Sequence, residues 1–504
     1  MKAMQPEGPQ DTTEFPDPVY KDTVLVPLFD DAKTQHAGDL DRINRAQAVM
    51  LHEVGLLDLD HARALMRGLV EISRSLDPEK LVYDGSVEDL FFLIENELIG
   101  RVGKDIAGRL HTGRSRNDID HTLFKMSLKR ELDGLLKRSL RLLGALIDKA
   151  EAESASLIIA YTHGQPAQPG TFGHYLGAMI EVLIRDIERV LAARRVVDLC
   201  SMGAAAITTS GFPLDRRRMA ELLGFSAAQE NSYGCIAAAD YVTSAYSALQ
   251  LIFLHLGRPI QDLQFWTSFE VAQLYVPNAF VQISSIMPQK RNPVPIEHLR
   301  HLASQVVGRA GAMLTVVHNT PFTDINDIEG ETQSFGYGAF RTAARVLDLL
   351  TALVPALSVR QDRVDRNSRK SCITITELAD SLVRIEGISF RQAHHVAAAV
   401  ARAVVGVDGE LAVDGYAPFV AAFAAEAGRA SRIDRERFVE IVSARHFVEV
   451  RSNFGGPAPD PMARALAKYR SEMARFEDEH QANADREAAA IRRLDERTAA
   501  LQGE

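Results

Sequence analysis

Residues 284–293 read Ser284-Ser285-Ile286-Met287-Pro288-Gln289-Lys290-Arg291-Asn292-Pro293 and separate two long helical patterns. Proline at positions 288 and 293 forbids a continuous helix through this segment, so we predict a loop. The serine hydroxyls, the lysine ammonium and the asparagine amide are groups with which a loop binds an anion. A solvated, basic connection between two helices has the same composition, and composition alone leaves both interpretations open.

Length and charge exclude several classes of protein. A chain of 504 residues is too long for one simple core, so we expect two or three domains. The net charge of −10 argues against a nucleic-acid partner or an anionic membrane. Cys200, Cys235 and Cys372 lie too far apart in sequence to suggest a disulfide or metal pattern. The start of the chain lacks an apolar leader and no run of ~18 apolar residues occurs, so we predict a cytoplasmic protein.

Apolar side chains recur at helical spacing through most of the chain. Leu132, Leu136, Leu140, Leu143 and Ile147 form one continuous stripe. The helix that carries this stripe should run ~35 residues, or ~50 Å, which is far above the average length in globular proteins. Several such helices imply an all-α bundle. The other long helical patterns cover residues 170–200, 237–257, 294–318 and 333–357.

Changes in pattern along the chain predict three domains. Residues 1–117 should form an N-terminal helical domain whose first 25 residues, rich in Pro, Asp and Thr, are an irregular arm. Residues 118–370 should form the central bundle of long helices. Residues 371–504 should form a C-terminal helical domain that ends in a charged, alanine-rich helix.

Three more polar segments interrupt the helical patterns. The first, residues 111–118, carries an imidazole, two guanidinium groups and an amide, a set suited to carboxylates. It equally fits a charged connection before a helix, with Asn117 or Asp118 as the N-cap. The second covers residues 161–169 and contains His163, for which a catalytic role and a structural role are equally open. The third, residues 324–331, is acidic and irregular.

These segments resemble the signature regions of the aspartase/fumarase superfamily. Residues 284–293 closely resemble its fumarate-releasing signature, Gly-Ser-x-x-Met-x-x-Lys-x-Asn, and residues 111–118 and 161–169 resemble the other two regions. The form of residues 111–118 is that of the argininosuccinate lyase branch. Residues 376–380 and 390–395 also resemble the C-terminal domain of that branch, so the resemblance covers roughly residues 25–400.

The resemblance implies an architecture and a set of partners. Family members have a three-domain, all-α subunit, and four subunits join their central helices in a twenty-helix core. Each active site then collects its three signature segments from three different subunits of the homotetramer. We expect a small-molecule N-substituted aspartate as substrate, fumarate as product, and neither cofactor nor metal.

The resemblance also implies roles for individual residues in a carbon–nitrogen lyase. Ser284 matches the catalytic base, and His163 and Lys290 match groups that assist proton transfer and hold developing negative charge. The remaining matches are substrate-contacting positions: Arg116, Asn117, Thr162, Ser285 and Asn292. The family's N-terminal substrate-binding serine has its nearest counterpart around residues 29–31.

Two departures from the family pattern bear on the substrate. Ile283 replaces the signature glycine. Asp324, Glu329 and Thr332 stand where argininosuccinate lyases carry Tyr, Gln and Lys against the amino-acid end of the substrate. Two carboxylates disfavour an anionic α-carboxylate and favour a cationic amine. We therefore predict a diamine-type or aminopolycarboxylate substrate such as ethylenediamine-disuccinate. The alternative is cleavage of argininosuccinate to arginine and fumarate, and a third, non-enzymatic alternative is recruitment as a lens structural protein.

Overall fold

The computed structural model describes residues 15–503, and this part of the chain is mostly helical. The predicted all-α class is confirmed. No helix within the described range is long and apolar enough to cross a membrane. The described part of the chain begins with six helices: α1 (Pro18–Tyr20), α2 (Val26–Gln35), α3 (Ala37–Glu53), α4 (Leu59–Ser75), α5 (Leu90–Val102) and α6 (Lys104–Arg109).

The predicted irregular arm is wrong for the residues that the structure describes, and residues 1–14 lie outside them. Asp17 caps α1, because its side chain accepts from the amides of Val19 and Tyr20. Pro18 occupies the first helical position, where a missing amide proton costs nothing. A π-helical turn, Lys21–Leu25, then leads directly into α2.

Long helices form the centre of the molecule, as the apolar stripes predict. The longest of these central helices, residues 116–152, has 37 residues, close to the expected ~35. Its apolar stripe is buried. Two short helices separate the second and third long ones. The helices of this region are α7 (Arg116–Ala152), α8 (Phe172–Val197), α9 (Arg216–Leu223), α10 (Ser232–Ala237), α11 (Asp240–Trp266), α12 (Val294–Val316) and α13 (Gly330–Ala356).

The five long helices pack in a closed ring. Each contacts the next in the order α7, α8, α11, α12, α13, and α13 returns to α7. Their inward faces form one apolar core, with side chains such as Leu143, Ile180, Leu249 and Val346 fully buried. Burying a large aliphatic side chain stabilises the fold by about 1.5–3 kcal/mol, so this ring is the main source of stability.

Short strands pair where the chain passes between helices. Residues 15–503 contain four such pairs, each two-stranded, and the longest is an antiparallel hairpin directly after α7. The pairs are β1 (Leu157–Thr162) with β2 (Gln165–Thr171), β3 (Leu199–Cys200) with β4 (Ala227–Ala228), β5 (Leu274–Tyr275) with β8 (Ser358–Val359), and β6 (Gln282–Ile283) with β7 (Arg291–Asn292).

A separate apolar cluster lies in the C-terminal region. Leu378, Val396, Phe419 and Phe438 are at its centre, away from the core of the ring. The helices are α14 (Gln361–Lys370), α15 (Ile375–Ser381), α16 (Phe390–Gly406), α17 (Leu411–Asp414), α18 (Tyr416–Ala427), α19 (Arg435–Ile441), α20 (Ala444–Glu449) and α21 (Pro459–Gln502).

The terminal helix α21 packs differently from what the predicted domain division implies. Its main contacts are with α7 and α8 of the ring and with α3, α4 and α9. Leu466 and Phe476 join the core of the ring, and Leu494 and Leu501 join the N-terminal cluster. The sequence of α21 did not predict these two apolar contacts, because each uses only a few apolar residues of a helix with 44 mostly polar positions.

A buried ion network fixes α21 on α7 and α8. Lys129 Nζ lies 2.9 Å from Glu487 Oε1, and Arg194 Nη2 lies 2.8 Å from the same oxygen. Arg194 also pairs with Asp133 at 2.6 Å and with Asp198 at 2.9 Å. The side chains of Lys129 and Arg194 are 3% and 2% exposed, so each requires a carboxylate partner.

Replacing Glu487 by alanine should destabilise the protein. The substitution leaves two buried cations with one carboxylate fewer, which costs about 3–5 kcal/mol in a fully buried pair and less here because Glu487 is 29% exposed. We expect a loss of about 2 kcal/mol, read from the midpoint of urea unfolding. Glu477→Ala, an exposed change on the same helix, is the matched control. Equal midpoints for the two variants would contradict this role.

Candidate active site

The first polar segment forms the turn that leads into α7. Ser115 is the N-cap, rather than Asn117 or Asp118, and its amide donates to Asp118 Oδ1 at 2.8 Å. The other oxygen of Asp118 accepts from the amides of Gly203 (2.8 Å) and Ala205 (3.0 Å). Burial raises the pKa of Asp118 to about 6, although these three amides act in the opposite direction. Asp118 therefore ties residues 203–205 to the start of α7.

The side chain of Asn117 is held between two further segments. Its Nδ2 donates to Asp324 Oδ2 at 2.7 Å and to Ala206 O at 3.2 Å. Its Oδ1 accepts from the hydroxyl of Ser115 at 3.2 Å. The structure thus brings together two of the predicted site residues, Asn117 and Asp324, that lie 207 positions apart in sequence.

Arg116 projects beside them and is held by acidic groups. Its Nη1 lies 2.8 Å from Glu88 and 2.9 Å from Asp89, and the guanidinium stands 5.3 Å from the ring centre of Phe92. The side chain stays 44% exposed. Exchanging these surface partners for a substrate carboxylate costs little, because exposed ion pairs contribute at most about 1 kcal/mol.

A cavity of about 630 Å³ opens between α2, α7 and the start of α13. Arg116, Asn117, Asp324 and Glu329 all line it. Its lining includes Phe29 and Asp31 of α2, from the segment that is the nearest counterpart of the family's N-terminal substrate-binding residue. Apolar walls with a few polar groups at one side are typical of a small-molecule site.

Three carboxyl groups face one another in this cavity. Burial raises the pKa of Glu329, and the nearby charge of Asp324 raises it further. Burial also raises the pKa of Asp324, whose Oδ1 is fully buried and accepts no hydrogen bond within residues 15–503. The pKa of Asp120 is raised well above its usual value by burial and then by Glu329 and Asp89. These groups would be stabilised by a cation.

Two residues of the cavity were missed by sequence reasoning. Asp120 follows Arg116 by four positions and Asn117 by three, so helical spacing alone places it on their face, and this signal could have found it. His36 at the end of α2 is the second, and no sequence pattern marks it. Burial and then Arg130 lower the pKa of His36 to about 4, so the ring is neutral.

The second polar segment is the turn of the β1–β2 hairpin rather than a loop. His163 and Gly164 both have left-handed backbone angles, with φ of 54° and 73°. Thr162 pairs with Gln165, which leaves a two-residue turn of the type that needs positive φ at both positions. Thr162 and His163 are exposed at the tip. Gly164 suits this turn, because glycine adopts the left-handed backbone angles without strain.

Residues 284–290, from the segment that resembles the fumarate-releasing signature, connect β6 and β7 and form the loop of a short hairpin. Ser284 Oγ accepts hydrogen bonds from the amides of Met287 (3.0 Å) and Ile286 (3.4 Å). Donors that point at a hydroxyl oxygen stabilise its ionised form. Lys290 and Ser285 are exposed, and Asn292 is half-buried in β7.

The long helices keep these segments apart within one chain. The first segment precedes α7 and the β1–β2 hairpin follows it, so about 50 Å of helix separates Asn117 from His163. Residues 284–293 precede α12, whereas Asp324 follows that helix, and the length of α12 puts about 35 Å between them. No hydrogen bond or ion pair within the described range links Ser284 or His163 to Asn117. A site that uses Asn117 together with His163 and Ser284 needs more than one subunit.

Two family models match the chain. The model described as lyase matches residues 69–308, and the model of the argininosuccinate lyase C-terminal domain matches residues 372–448. Argininosuccinate lyase 2 of Agrobacterium fabrum is 64% identical over 98% of both chains. Argininosuccinate lyase of Methanocaldococcus jannaschii is 31% identical over 86% of this chain and 88% of its own length.

Solved structures agree on the fold. The structure of EDDS lyase in complex with formate has a TM-score of 0.84 and 26% identity, and it covers 97% of both chains. A class II fumarase from Schistosoma mansoni has a TM-score of 0.65 at 16% identity, covering 84% of this chain and 91% of its own. The second likeness supports the fold alone.

Replacing Asp120 by asparagine should raise the thermal midpoint at neutral pH. Because the pKa of Asp120 is raised in the folded state, that state binds more protons than the unfolded chain, and stability falls as the pH rises above about 3.9. Asp120→Asn removes this loss, so we expect a gain of about 2–4 °C at pH 7 and a smaller gain at pH 4.5. Glu270→Gln, an exposed change, should shift neither midpoint. A gain that is independent of pH would contradict the explanation.

Proposed function

The chain belongs to the argininosuccinate lyase branch of the aspartase/fumarase superfamily and is a carbon–nitrogen lyase, and we propose that it cleaves argininosuccinate to arginine and fumarate. One observation carries this choice of substrate. The Agrobacterium fabrum relative named argininosuccinate lyase 2 is 64% identical over nearly the whole chain, whereas EDDS lyase is 26% identical. This reverses the order of the two substrates that the sequence alone favours.

In the proposed reaction Ser284 is the base. Its alkoxide removes a proton from the carbon next to the β-carboxylate of the aspartate moiety, and the electron pair moves into that carboxylate. That electron pair then returns to form the carbon–carbon double bond of fumarate as the carbon–nitrogen bond breaks. The electrons of the broken bond leave with the nitrogen, which takes up a proton. The amides of Ile286 and Met287 support this role, because they donate to the oxygen that must carry charge.

The dianionic intermediate requires cations and amide donors around its carboxylates. In the proposal Lys290, Asn292 and Ser285 bind one carboxylate, and Arg116, Asn117 and Thr162 bind the other. His163 at the tip of the β1–β2 hairpin assists the transfer of a proton. Its exposed position suits a group that completes the site of another subunit.

We further propose a homotetramer in which each site takes one segment from each of three subunits. The separation of Asn117 from His163 along α7, and of Asp324 from Ser284 along α12, supports a site that combines segments from more than one subunit. Exposed apolar side chains next to the proposed base also support it. Ile283 and Ile286 are 80% and 83% exposed in the single chain, which is unusual unless another surface covers them.

Mixing two inactive variants, Ser284→Ala and His163→Asn, should restore activity. Each variant alone should lose at least about 10²-fold in kcat, the contribution of a general acid or base. After subunit exchange, about a quarter of the sites would regain both groups if they come from different subunits. Fumarate release, measured at 240 nm, is the readout, and native mass spectrometry verifies the exchange.

The control for this experiment is Ser285→Ala, which removes a neighbouring hydroxyl and should lose less activity than Ser284→Ala. Exchanged tetramers without recovered activity would contradict the shared site. A Ser284→Ala enzyme that keeps a tenth of the wild-type turnover would show that Ser284 is not the base.

A diamine-linked aspartate, such as ethylenediamine-disuccinate, is the second candidate substrate. The observation that favours it is the set of carboxyl groups of Asp120, Asp324 and Glu329 in the cavity. An acidic wall suits the guanidinium and α-ammonium groups of argininosuccinate but disfavours its α-carboxylate. The second nitrogen of a diamine adduct would meet no such mismatch.

The two substrates can be separated by their kcat/KM values and by Asp324→Asn. If argininosuccinate is the substrate, its kcat/KM exceeds that of ethylenediamine-disuccinate. Removing the like charge should then raise kcat/KM for argininosuccinate relative to the diamine adduct by about tenfold, or ~1.4 kcal/mol. Asp327→Asn, an exposed change three residues away, is the control. Faster cleavage of the diamine adduct by the wild-type enzyme would overturn the proposed substrate.

A further inference from the structure

A second cavity, of about 980 Å³, lies between α9, β4 and α21 and is separate from the candidate active site. Four arginines line it, Arg216 and Arg217 from α9 and Arg486 and Arg493 from α21, and so do three acidic residues, Asp215, Glu221 and Glu230. Arginine presents a planar fork of donors that matches phosphate and carboxylate oxygens. The proposed lyase reaction uses none of these residues.

Two of the four guanidinium groups have no acidic partner within residues 15–503. Arg216 donates to the backbone oxygens of Met202 (3.1 Å) and Glu230 (3.3 Å) and to the sulfur of Cys235 (3.0 Å). Arg217 is exposed and makes no hydrogen bond or ion pair with the described part of the chain. Their positive charge is therefore available to a ligand.

The other two arginines are paired with carboxylates. Arg493 Nη1 lies 2.9 Å from Glu221, and Arg486 pairs with the buried Asp198. The Nε of Arg486 is nevertheless fully buried without a hydrogen-bond partner in the described residues. Arg486 and Arg493 therefore form the wall of the cavity on the side of α21.

A third unpaired cation lies directly behind the cavity wall. Lys125 is 2% exposed, and its ammonium donates only to neutral oxygens: Gln229 Oε1 (2.7 Å), Ser201 Oγ (2.9 Å) and Leu199 O (3.1 Å). Gln229 itself lines the cavity. Burial lowers the pKa of Lys125 to about 8, so it is largely charged at neutral pH. A buried charge without a counter-ion is costly, and an anion in the cavity would reduce that cost.

The cavity is connected to the candidate active site through residues 202–206. Arg216 holds the carbonyl of Met202, and its side chain lies against Gly203, whose φ of 80° and close approach to the arginine leave no room for a side chain. Gly203 and Ala205 donate to Asp118, and Ala206 accepts from Asn117. A ligand that binds the guanidinium group of Arg216 and shifts it would therefore also shift residues 202–206, which orient Asn117.

We propose that this cavity binds a small dianionic oxyanion, a phosphate or a short dicarboxylate, and that binding is transmitted through residues 202–206 to Asn117. Arg216 and Arg217 supply the principal contacts, and Arg486 and Arg493 close the side formed by α21. The site is a regulatory one, because it lies outside the cavity that contains Arg116 and Asp324. Its ligand acts on the reaction only by changing the orientation of the Asn117 side chain.

Isothermal titration of the assembled wild-type protein with inorganic phosphate and, separately, with malonate tests the binding. Sodium chloride at matched ionic strength is the blank. We expect Arg217→Gln to weaken binding about tenfold, since it removes one charge-assisted pair of hydrogen bonds from an exposed residue. Arg464→Gln, an exposed and unpaired arginine elsewhere on α21, is the matched control and should bind as the wild type does.

The ligand class and the coupling are read from the same samples. Heat with phosphate alone assigns a phosphate site, and heat with malonate alone assigns a dicarboxylate site. Bound anion should slow amide hydrogen exchange at residues 202–206 in the wild type but not in Arg217→Gln. Arg216→Lys, which keeps the charge but loses the fork, should also weaken binding. No heat with either anion, or equal binding by Arg217→Gln and Arg464→Gln, would overturn the site. Binding with unchanged exchange would overturn the coupling.

Discussion

The length of α7 is the constraint on which the rest of the structure depends. This helix of 37 residues packs in a ring with four others. It therefore fixes Asn117 and the β1–β2 hairpin at its two ends. About 50 Å of helix therefore separates Asn117 from His163 within one chain. Because the proposed reaction uses both residues, the proposal requires a site that combines segments from more than one copy of the chain.

The two cavities differ in the charged groups that line them. The one beside α7 carries the carboxyl groups of Asp120 and Glu329, which a cationic leaving amine would stabilise. The one beside α9 carries unpaired guanidinium groups at Arg216 and Arg217. Residues 202–206 connect them, because Asp118 and Asn117 hold this segment from one side and Arg216 from the other.

Much of the fold could be predicted from sequence because helical periodicity is a local signal. The stripes placed all five helices of the ring, and the polar segments between them marked Asn117, His163 and Ser284. Features set by tertiary contacts could not be predicted in this way. Three such features depend on residues that are distant in sequence. They are the strand pairing on either side of His163, the hydrogen bond between Asn117 and Asp324, and the two apolar contacts of α21. Asp120 differs from these features, because its spacing of three positions from Asn117 predicts from sequence alone that both lie on one face of α7.

The ion network around Glu487 bears on how the chain is made. Lys129 and Arg194 emerge from the ribosome long before Glu487, because 293 positions separate even Arg194 from Glu487 in the sequence. Until α21 emerges, the two cations of the nascent ring lack one of their carboxylates. Domains generally fold as they are translated, but this ion network can close only after α21 has been synthesised. Its completion is therefore a late step in the folding of the subunit.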